Sequence, residues 1–383
     1  MNKQLLRLLK IAEKTDRIII GLMSGTSMDG LDIALCRCTE SSITVENYQS
    51  VEYDNQQQEI LHSLRSKSNI SMPLLCRLHT LMAHFYADQI LNCLSNWGVA
   101  PDQVDVIASH GQTIYHAPDA ELSTTFQCVD GDHIAQKTGI ITLSDFRQKH
   151  VAAGGEGAPL AKYLDEFLYQ DEHRTRVALN LGGIANFTVI PPKGSDQKGL
   201  STDVGPANTL MNEAMLKYFG KPFDENGAVA ASGTIHSELV KYCLLEPFFR
   251  LEFPKTTGQE LFNLNLIEAL MESHGITLQP KDLVASLTEL TVKGIVRAVD
   301  DILGTNAFDM IVSGGGAHNR TLMNALKEQL PQAHFLNASQ FGISGDAKEA
   351  ALMAYLGNEW FAEQGFAVAD RSNIHFGKLS LPN

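Results

Sequence analysis

A short hairpin pattern near the N-terminus constrains the fold more than any other stretch of this chain. Residues 18–22 form an apolar, mainly β-branched run, residues 24–30 are small and polar, and residues 31–35 return to alternation. This pattern predicts a strand, a glycine-rich turn and a second strand. Such a turn exposes backbone N–H groups and hydroxyls, which suits the oxygens of a phosphate chain. A plain hairpin that only reverses the chain is the alternative.

Asp29 lies in this turn, where a carboxylate would repel phosphates unless Mg²⁺ lay between them. Mg²⁺ is usually held by one or two carboxylates together with phosphates and waters, so Asp29 is a candidate ligand. The Walker phosphate loop is excluded, because no Gly-Lys-Ser/Thr follows the glycines.

Length and charge narrow the class of protein. A chain of 383 residues suits two domains of ordinary size. Its net charge of -14 argues against nucleic acid as a partner, because phosphate backbones require basic patches, so we expect a small-molecule ligand. The six cysteines have no C-x-x-C spacing, and residues 1–17 suit an amphipathic surface helix better than a signal peptide. With no apolar run of membrane-spanning length, we expect a cytoplasmic protein.

Polar residues directly follow the buried-strand pattern at residues 104–108. His110, Gln112 and Thr113 stand at its carboxyl end, which is where open α/β sheets bind ligands, so we expect a sugar-contacting loop. A histidine satisfied within the core is the alternative for His110. Asp145 and Arg147 close the next strand pattern, and a structural ion pair is the alternative to a role in the site.

A second glycine-rich hairpin pattern begins about 160 residues after the first, with Gly182 and Gly183 at its turn. Two such hairpins indicate two duplicated α/β halves with a nucleotide held between them. Asp203 follows where a strand pattern meets a helix pattern that starts at Pro206. Support of that helix start is the alternative role for Asp203.

A third glycine-rich turn follows the strand pattern at residues 308–313. Three consecutive glycines between a strand and a helix let a flat base or ribose approach the backbone closely. These glycines are Gly314, Gly315 and Gly316.

Several of these short sequences, in the same order, resemble those of the anhydro-N-acetylmuramic acid kinases, bacterial sugar kinases of the actin, sugar kinase and Hsp70 superfamily. They are GTSMDGLD at 25–32, HGQT at 110–113, DFR at 145–147, DVGPAN at 203–208 and GDAKEA at 345–350. The resemblance extends over nearly the whole chain, from residue 18 to residue 360.

The resemblance implies an α/β fold of two duplicated lobes of the actin-like ATPase (ribonuclease H-like) type, with ATP in the cleft between them. The predicted N-terminal lobe, residues 1–150, carries the first hairpin and the sugar-contacting loops. The predicted C-terminal lobe, residues 151–383, carries the second hairpin, the catalytic aspartate and the adenosine-binding turn. The final helix is a candidate to pack back on the first lobe.

The activity implied by the resemblance is ATP-dependent phosphorylation of 1,6-anhydro-N-acetylmuramic acid with hydrolytic opening of the anhydro ring. The products are N-acetylmuramic acid 6-phosphate and ADP, in cell-wall recycling. Levoglucosan kinases open 1,6-anhydroglucose with the same architecture and define an alternative, and a non-enzymatic actin- or Hsp70-like protein is a second one. The implied cofactors are ATP and Mg²⁺. The sugar is the only implied partner, without nucleic acid or membrane, and a homodimer is left open.

The resemblance also implies roles for individual residues. Asp203 becomes the catalytic base, and Asp29 and Glu349 become metal ligands, with a solvated helix start as the alternative for Glu349. The implied ATP-binding residues are Gly25, Thr26, Ser27, Met28, Asp29, Gly30, Leu31, Asp32, Gly182, Gly183, Gly314, Gly315 and Gly316. The implied sugar-contacting residues are His110, Gln112, Thr113, Arg147, Gly205 and Asn208.

Four positions depart from the family pattern. His150 stands where an aspartate is common, Glu156 replaces a glutamine, Lys162 replaces a proline, and Ala207 replaces a glycine. These departures leave the ATP-binding sequences intact and leave the preferred sugar open.

Overall fold

The computed structural model describes residues 2–25, 28–67, 69–118, 122–258 and 260–383. The strands are β1 (Asp16–Ser24), β2 (Gly30–Thr39), β3 (Ile43–Glu52), β4 (Val106–Ala117), β5 (Thr124–Cys128), β6 (Ile141–Ser144), β7 (Arg176–Leu181), β8 (Ile184–Ile190), β9 (Leu200–Pro206), β10 (Phe308–Ser313), β11 (Ala333–Leu336), β12 (Phe366–Val368), β13 (Arg371–Ile374) and β14 (Lys378–Ser380). The helices are α1 (Lys3–Ala12), α2 (Asn55–Leu64), α3 (Met72–Trp97), α4 (Gly131–Thr138), α5 (Phe146–Ala152), α6 (Ala161–Tyr169), α7 (Asn208–Phe219), α8 (Ala228–Ser232), α9 (Ser237–Cys243), α10 (Leu264–Ser273), α11 (Pro280–Leu303), α12 (Arg320–Gln329) and α13 (Lys348–Glu359). Among the described residues, no helix is long and apolar enough to cross a membrane.

The chain divides into two compact units. Unit 1 comprises Met1–Leu164 and Gly342–Asn383, and unit 2 comprises Asp165–Phe341. The division therefore falls within α6, later than the predicted boundary at residue 150. The whole segment from Gly342 onward, and not only the final helix, belongs to unit 1. The predicted C-terminal lobe of residues 151–383 is therefore longer than unit 2 at both ends.

Unit 1 is built on a seven-stranded mixed sheet. Its strand order is β14-β6-β4-β1-β2-β3, with β5 paired to β4. The central strand β1 runs antiparallel to β2 and parallel to β4, as expected for a hairpin followed by a helical crossover. The predicted first hairpin is thus formed by β1 and β2, with its turn between Ser24 and Gly30.

Unit 2 is built on a five-stranded mixed sheet with the order β11-β10-β7-β8-β9. In both sheets, the central strand and the next two strands on one side form two successive antiparallel pairs. The central strand and the next two strands on its other side form two successive parallel pairs. Thus β7, β8, β9, β10 and β11 correspond to β1, β2, β3, β4 and β6. The predicted α/β fold with two duplicated lobes is confirmed by this shared order.

Helix α13 lies directly on the sheet of unit 1, against β1 and β2. Its close approach requires Gly21, because a Cβ atom there would lie 1.9 Å from the carbonyl oxygen of Ala350. Glu349 precedes Ala350, so this contact brings the first turn of α13 to the end of β1 that leads into the hairpin turn.

Each unit has its own apolar core. In unit 1, buried side chains of β1, β2 and β4 pack against α3, which buries Met82, Tyr86 and Ile90. In unit 2, the sheet packs against α7 and the long helix α11. The predicted helix start at Pro206 is wrong: Pro206 ends β9, and α7 begins at Asn208.

Candidate active site

A cavity of about 460 Å³ opens in unit 1 beside the first hairpin. Four carboxylates line it, those of Asp29, Asp32, Glu52 and Glu349. Gly30 also lines it, and a Cβ atom there would lie 2.5 Å from the Val51 carbonyl oxygen, so the β2–β3 pair depends on this glycine. Oxygen donors are the ligands that Mg²⁺ prefers.

The carboxylates of this cavity have different surroundings. Asp29 is exposed, whereas Asp32 accepts a 2.7 Å hydrogen bond from the Tyr48 hydroxyl. Glu349 is exposed, yet desolvation by the protein around it, and next the negative charge of Asp32, raise its pKa, while the nearby Arg147 guanidinium opposes this rise. The predicted metal ligands Asp29 and Glu349 therefore line one cavity.

His110 and Arg147 come together in unit 1. The Arg147 Nε–H donates to His110 Nε2 at 2.7 Å, and His110 Nδ1 lies 2.7 Å from the Gly111 carbonyl oxygen. Because a carbonyl can only accept, the proton of the neutral imidazole lies on Nδ1. Burial, and next the positive charge of Arg147, lower the pKa of His110 to about 3, so the ring is neutral near pH 7. His110 is 2% exposed, and both of its ring nitrogens have hydrogen-bond partners. It therefore resembles a core histidine, the alternative to a sugar contact, and it orients Arg147.

Gln112 and Thr113 point into unit 1 and are partnered there. Gln112 is 0% exposed, and its amide bonds to Ser24 Oγ and to the Gly25 carbonyl oxygen. The Thr113 hydroxyl accepts a 3.3 Å hydrogen bond from Gln127. Their predicted sugar contacts stay predictions.

Asp203 lies on β9 in unit 2, and its carboxylate is held from one side. Its Oδ2 accepts a 2.8 Å hydrogen bond from the Thr257 N–H, and its own N–H donates to the Lys255 carbonyl at 2.9 Å. Burial raises the pKa of Asp203, and the Thr257 N–H opposes this rise. The side chain is only partly exposed, so one carboxylate oxygen is fixed in a site of reduced polarity.

Lys255 holds the segment that supports Asp203. Its ammonium lies 4.7 Å from the Phe248 ring centre and 4.3 Å from that of Phe253, and it donates to the Phe248 carbonyl at 3.2 Å. Burial lowers the pKa of this lysine. This support could not be predicted, because nothing in the local sequence pattern at 254–262 indicates which strand the segment contacts.

A second cavity, of about 490 Å³, lies within unit 2. Its lining includes Asn208 of α7, the turn residues Phe223 and Glu225, and Gly315 after β10. A Cβ atom at Gly315 would meet only the Asn208 amide, at 3.8 Å, so the backbone here is open to a ligand. The predicted adenosine-binding turn thus borders a cavity large enough for a nucleoside. The contribution of Phe223 and Glu225 was missed, since a turn pattern does not reveal what it faces.

The second hairpin is tied to the start of α7. The Gly183 carbonyl oxygen accepts from the N–H groups of Ala207 and Thr209 at 2.9 and 3.2 Å, and that of Gly182 accepts from Asn208 at 3.0 Å. These bonds satisfy N–H groups that a helix start otherwise leaves unpaired. The turn and the helix are therefore held as one piece.

The other predicted site residues differ in accessibility. Thr26 and Ser27 lie outside the described residues. Met28 and Leu31 are fully buried, so only their backbone groups are available to a nucleotide. Gly205 is buried, and a Cβ atom there would lie 3.2 Å from the Phe249 ring. Gly314 and Gly316 pack on Leu181, which leaves Gly315 as the member of the turn that lines the cavity.

Among residues 2–25, 28–67, 69–118, 122–258 and 260–383, no three or more histidine, cysteine, aspartate or glutamate side chains are grouped to hold a metal by themselves. Mg²⁺ bound through one or two carboxylates and a phosphate chain needs no such group.

The two sheets define a mixed α/β protein of two similarly built units, and unit 2 has a cavity of nucleoside size. A sequence model of the family described as "Anhydro-N-acetylmuramic acid kinase" matches residues 17–369. The chain therefore belongs to the anhydro-N-acetylmuramic acid kinase family, a family of sugar kinases, and the predicted family and enzyme class are confirmed.

Relatives of this family align over the full chain. Anhydro-N-acetylmuramic acid kinase of Pseudoalteromonas atlantica is 39% identical over 402 residues and covers 100% of both chains. That of Caldanaerobacter subterraneus subsp. tengcongensis is 34% identical and covers 98% of this chain and 100% of its own. Among solved structures, the activator of 2-hydroxyisocaproyl-CoA dehydratase from Clostridium difficile, with bound ADPNP, is 12% identical with a TM-score of 0.43, covering 90% of this chain and 96% of its own.

Proposed function

We propose that this chain uses ATP to phosphorylate O6 of 1,6-anhydro-N-acetylmuramic acid while water opens the anhydro ring. The products are N-acetylmuramic acid 6-phosphate and ADP. The observation that carries the proposal is Asp203, a partly exposed carboxylate with a raised pKa and one oxygen fixed by the Thr257 N–H. The full-length similarity to anhydro-N-acetylmuramic acid kinases supports the choice of sugar.

The chemistry requires a base because an anhydro sugar has no free 6-hydroxyl. Water attacks C1, the C1–O6 bond breaks, and O6 takes the γ-phosphoryl group as ADP leaves. Asp203 accepts one proton of the water, and the other stays on the new C1 hydroxyl. A raised pKa makes Asp203 a stronger base. The Thr257 hydroxyl is buried and has no hydrogen-bond partner among the described residues, which suits a site completed by substrate or water.

Each unit offers groups that suit a nucleotide. In unit 2, the cavity beside Gly315 suits adenosine, and the turn at Gly182 and Gly183 suits phosphates. In unit 1, the turn of the first hairpin suits phosphates for the same reason. The carboxylates of Asp29 and Glu349 form an oxygen donor set that fits Mg²⁺. Bound there, Mg²⁺ would offset the negative charge of the phosphates.

Arg147 is the strongest of the proposed sugar contacts. His110 Nε2 accepts a hydrogen bond from the Arg147 Nε–H, and this bond fixes the orientation of the guanidinium. A guanidinium binds carboxylates through paired hydrogen bonds, which suits the lactyl carboxylate of the muramic sugar.

The family departure at His150 has a packing role. The His150 ring accepts a hydrogen bond from the Gly157 N–H at 2.9 Å and lies 3.2 Å from the Tyr163 hydroxyl.

ADP release with ATP and Mg²⁺ tests the proposal, with 1,6-anhydro-N-acetylmuramic acid, 1,6-anhydroglucose or no sugar. We expect turnover with the muramic sugar only. A preference for anhydroglucose would replace the substrate, and turnover independent of sugar would overturn the kinase assignment in favour of an ATP-driven conformational protein. The cytoplasmic location and the homodimer stay predictions.

Replacing Gly315 with leucine is expected to raise the KM for ATP by at least about tenfold, because the side chain would occupy space that a bound nucleoside needs. Gly315→Ala is the graded control, since its Cβ has a clearance of 3.8 Å, and it should give a smaller increase. Steady-state kinetics with varied ATP measure both. An unchanged KM in Gly315→Leu would mean that adenosine binds elsewhere.

A further inference from the structure

A buried chain of hydroxyl and amide groups leads from α3 to the turn of the first hairpin. Tyr86, Tyr53, Ser24 and Gln112 are all nearly inaccessible, with exposed fractions of 0, 3, 1 and 0%. The two tyrosine hydroxyls are 3.0 Å apart, and the Tyr53 hydroxyl donates to Ser24 Oγ at 2.8 Å. Ser24 bonds to Gln112 Oε1, and Gln112 Nε2 donates to the Gly25 carbonyl oxygen at 2.9 Å.

The hydrogen bonds between these four side chains run in a single direction. A hydroxyl has one hydrogen, so Tyr53, which donates to Ser24, must accept from Tyr86. The donors then follow one another from Tyr86 through Tyr53, Ser24 and Gln112 to the Gly25 carbonyl. Burial raises the pKa of Tyr53 to about 12, which keeps it a donor over the neutral range.

The other flank of the turn lies close to the same hydroxyl. Ser24 Oγ is 3.0 Å from the Gly30 carbonyl oxygen, but its one hydrogen goes to Gln112 Oε1, so only the Gly25 carbonyl accepts a hydrogen bond from these residues. A turn that binds phosphates must present N–H groups, and a carbonyl oxygen facing the phosphates would repel them. Hydrogen bonds that draw carbonyl oxygens into the protein therefore favour the binding form of the turn.

We propose that Tyr86, Tyr53, Ser24 and Gln112 are positioning residues that hold the Gly25 carbonyl inward and so shape the first hairpin for the phosphates of ATP. This inference rests on the proposed function. It assigns Gln112 to the nucleotide rather than to the sugar, because both ends of its amide are used within the chain of hydrogen bonds.

The test compares Gln112→Met, which keeps length and removes both hydrogen bonds, with Tyr53→Phe, which removes one donor. We expect the KM for ATP to rise about tenfold in Gln112→Met and about threefold to fivefold in Tyr53→Phe, with the sugar KM and kcat within about twofold of the parent. Tyr86→Phe removes only the first donor and keeps the ring, so its KM for ATP is measured instead if Gln112→Met or Tyr53→Phe does not fold.

Tyr163→Phe is the matched control. It also removes a buried hydroxyl in unit 1, one that lies 3.2 Å from His150 Nε2 and outside this chain. We expect it to lower the melting temperature without changing the KM for ATP, which separates positioning from plain stability.

Two results would count against the inference. A raised sugar KM with an unchanged KM for ATP would assign Gln112 to the sugar, and a lowered melting temperature with both KM values unchanged would make the chain structural only. Equilibrium titration of the parent protein with ATP and Mg²⁺ separates these results from a failure of the proposed function. If the parent binds no ATP, the proposed function itself is wrong.

Discussion

Replacing Asp203 with asparagine is expected to lower kcat by about 10²–10⁴-fold, the range that a positioned general base contributes. Asparagine keeps the size of the side chain and its ability to accept from the Thr257 N–H, but it cannot take a proton from water. The fold should therefore survive, and substrate binding should change little. Turnover of the purified variant with saturating ATP and sugar measures the effect, and a rate within a few-fold of the parent would remove Asp203 from the role of base.

Asp309→Asn is the matched control for this prediction. Asp309 is a buried aspartate of the same unit, 3% exposed, and it pairs with Arg174 and Arg176. We expect its replacement to lower the melting temperature and to leave kcat nearly unchanged. Equal losses of kcat in the two variants would indicate a general effect of removing buried charge.

The pH dependence of the parent enzyme gives a second measure of Asp203. Its pKa is raised above the ordinary 3.8 by burial, and the base works only when ionised. Activity should therefore fall as the pH falls, with the acid limb of kcat/KM lying above pH 3.8. An acid limb at or below this value would contradict the assignment.

Replacing Glu349 with glutamine is expected to lower kcat/KM roughly 100-fold and to raise the Mg²⁺ concentration needed for half-maximal rate. Glutamine keeps the shape of the side chain and removes the charge that the proposed metal ion would require and that lies near Arg147. The rate is measured over a range of Mg²⁺ at fixed ATP. A parallel loss at every Mg²⁺ concentration would leave Glu349 important and would assign it to the sugar or to Arg147 instead.

Glu359→Gln provides the comparison for Glu349. Glu359 lies at the other end of α13, and burial raises its pKa as well, but it does not line the carboxylate cavity. We expect normal activity and an unchanged Mg²⁺ dependence. A shift equal to that of Glu349→Gln would indicate that the helix, rather than the carboxylate, matters.

The parts of the fold that depend on local pattern could be predicted. The two hairpins were recognised from alternating apolar residues around glycine-rich turns, and the order of the strands that follow them agrees with a duplicated α/β protein. The glycine-rich segment after residues 308–313 was predicted in the same way, and its Gly315 begins a short 3-10 helix and borders a nucleoside-sized cavity. In these cases the local structure depends on residues that are close together in the sequence.

The parts that depend on distant contacts could not be predicted. The partners of Asp203 come from Lys255 and Thr257, and no pattern shows that this segment pairs with β9. The direction of Gln112 is set by Ser24 on the neighbouring strand, so a residue assigned to the sugar is turned toward the hairpin. The boundary within α6 was missed because a continuous helix carries no linker composition.

The discontinuity of unit 1 has a consequence for how the chain is made. Residues up to Leu164 leave the ribosome well before Gly342–Asn383, so the face of β1 around Gly21 must wait for α13 and the edge of β6 must wait for β14. The inserted unit, Asp165–Phe341, is continuous and can complete its own sheet first. During synthesis we therefore expect the insert to fold before the unit that precedes it, with the early strands open to chaperones until residues 342–383 have been made.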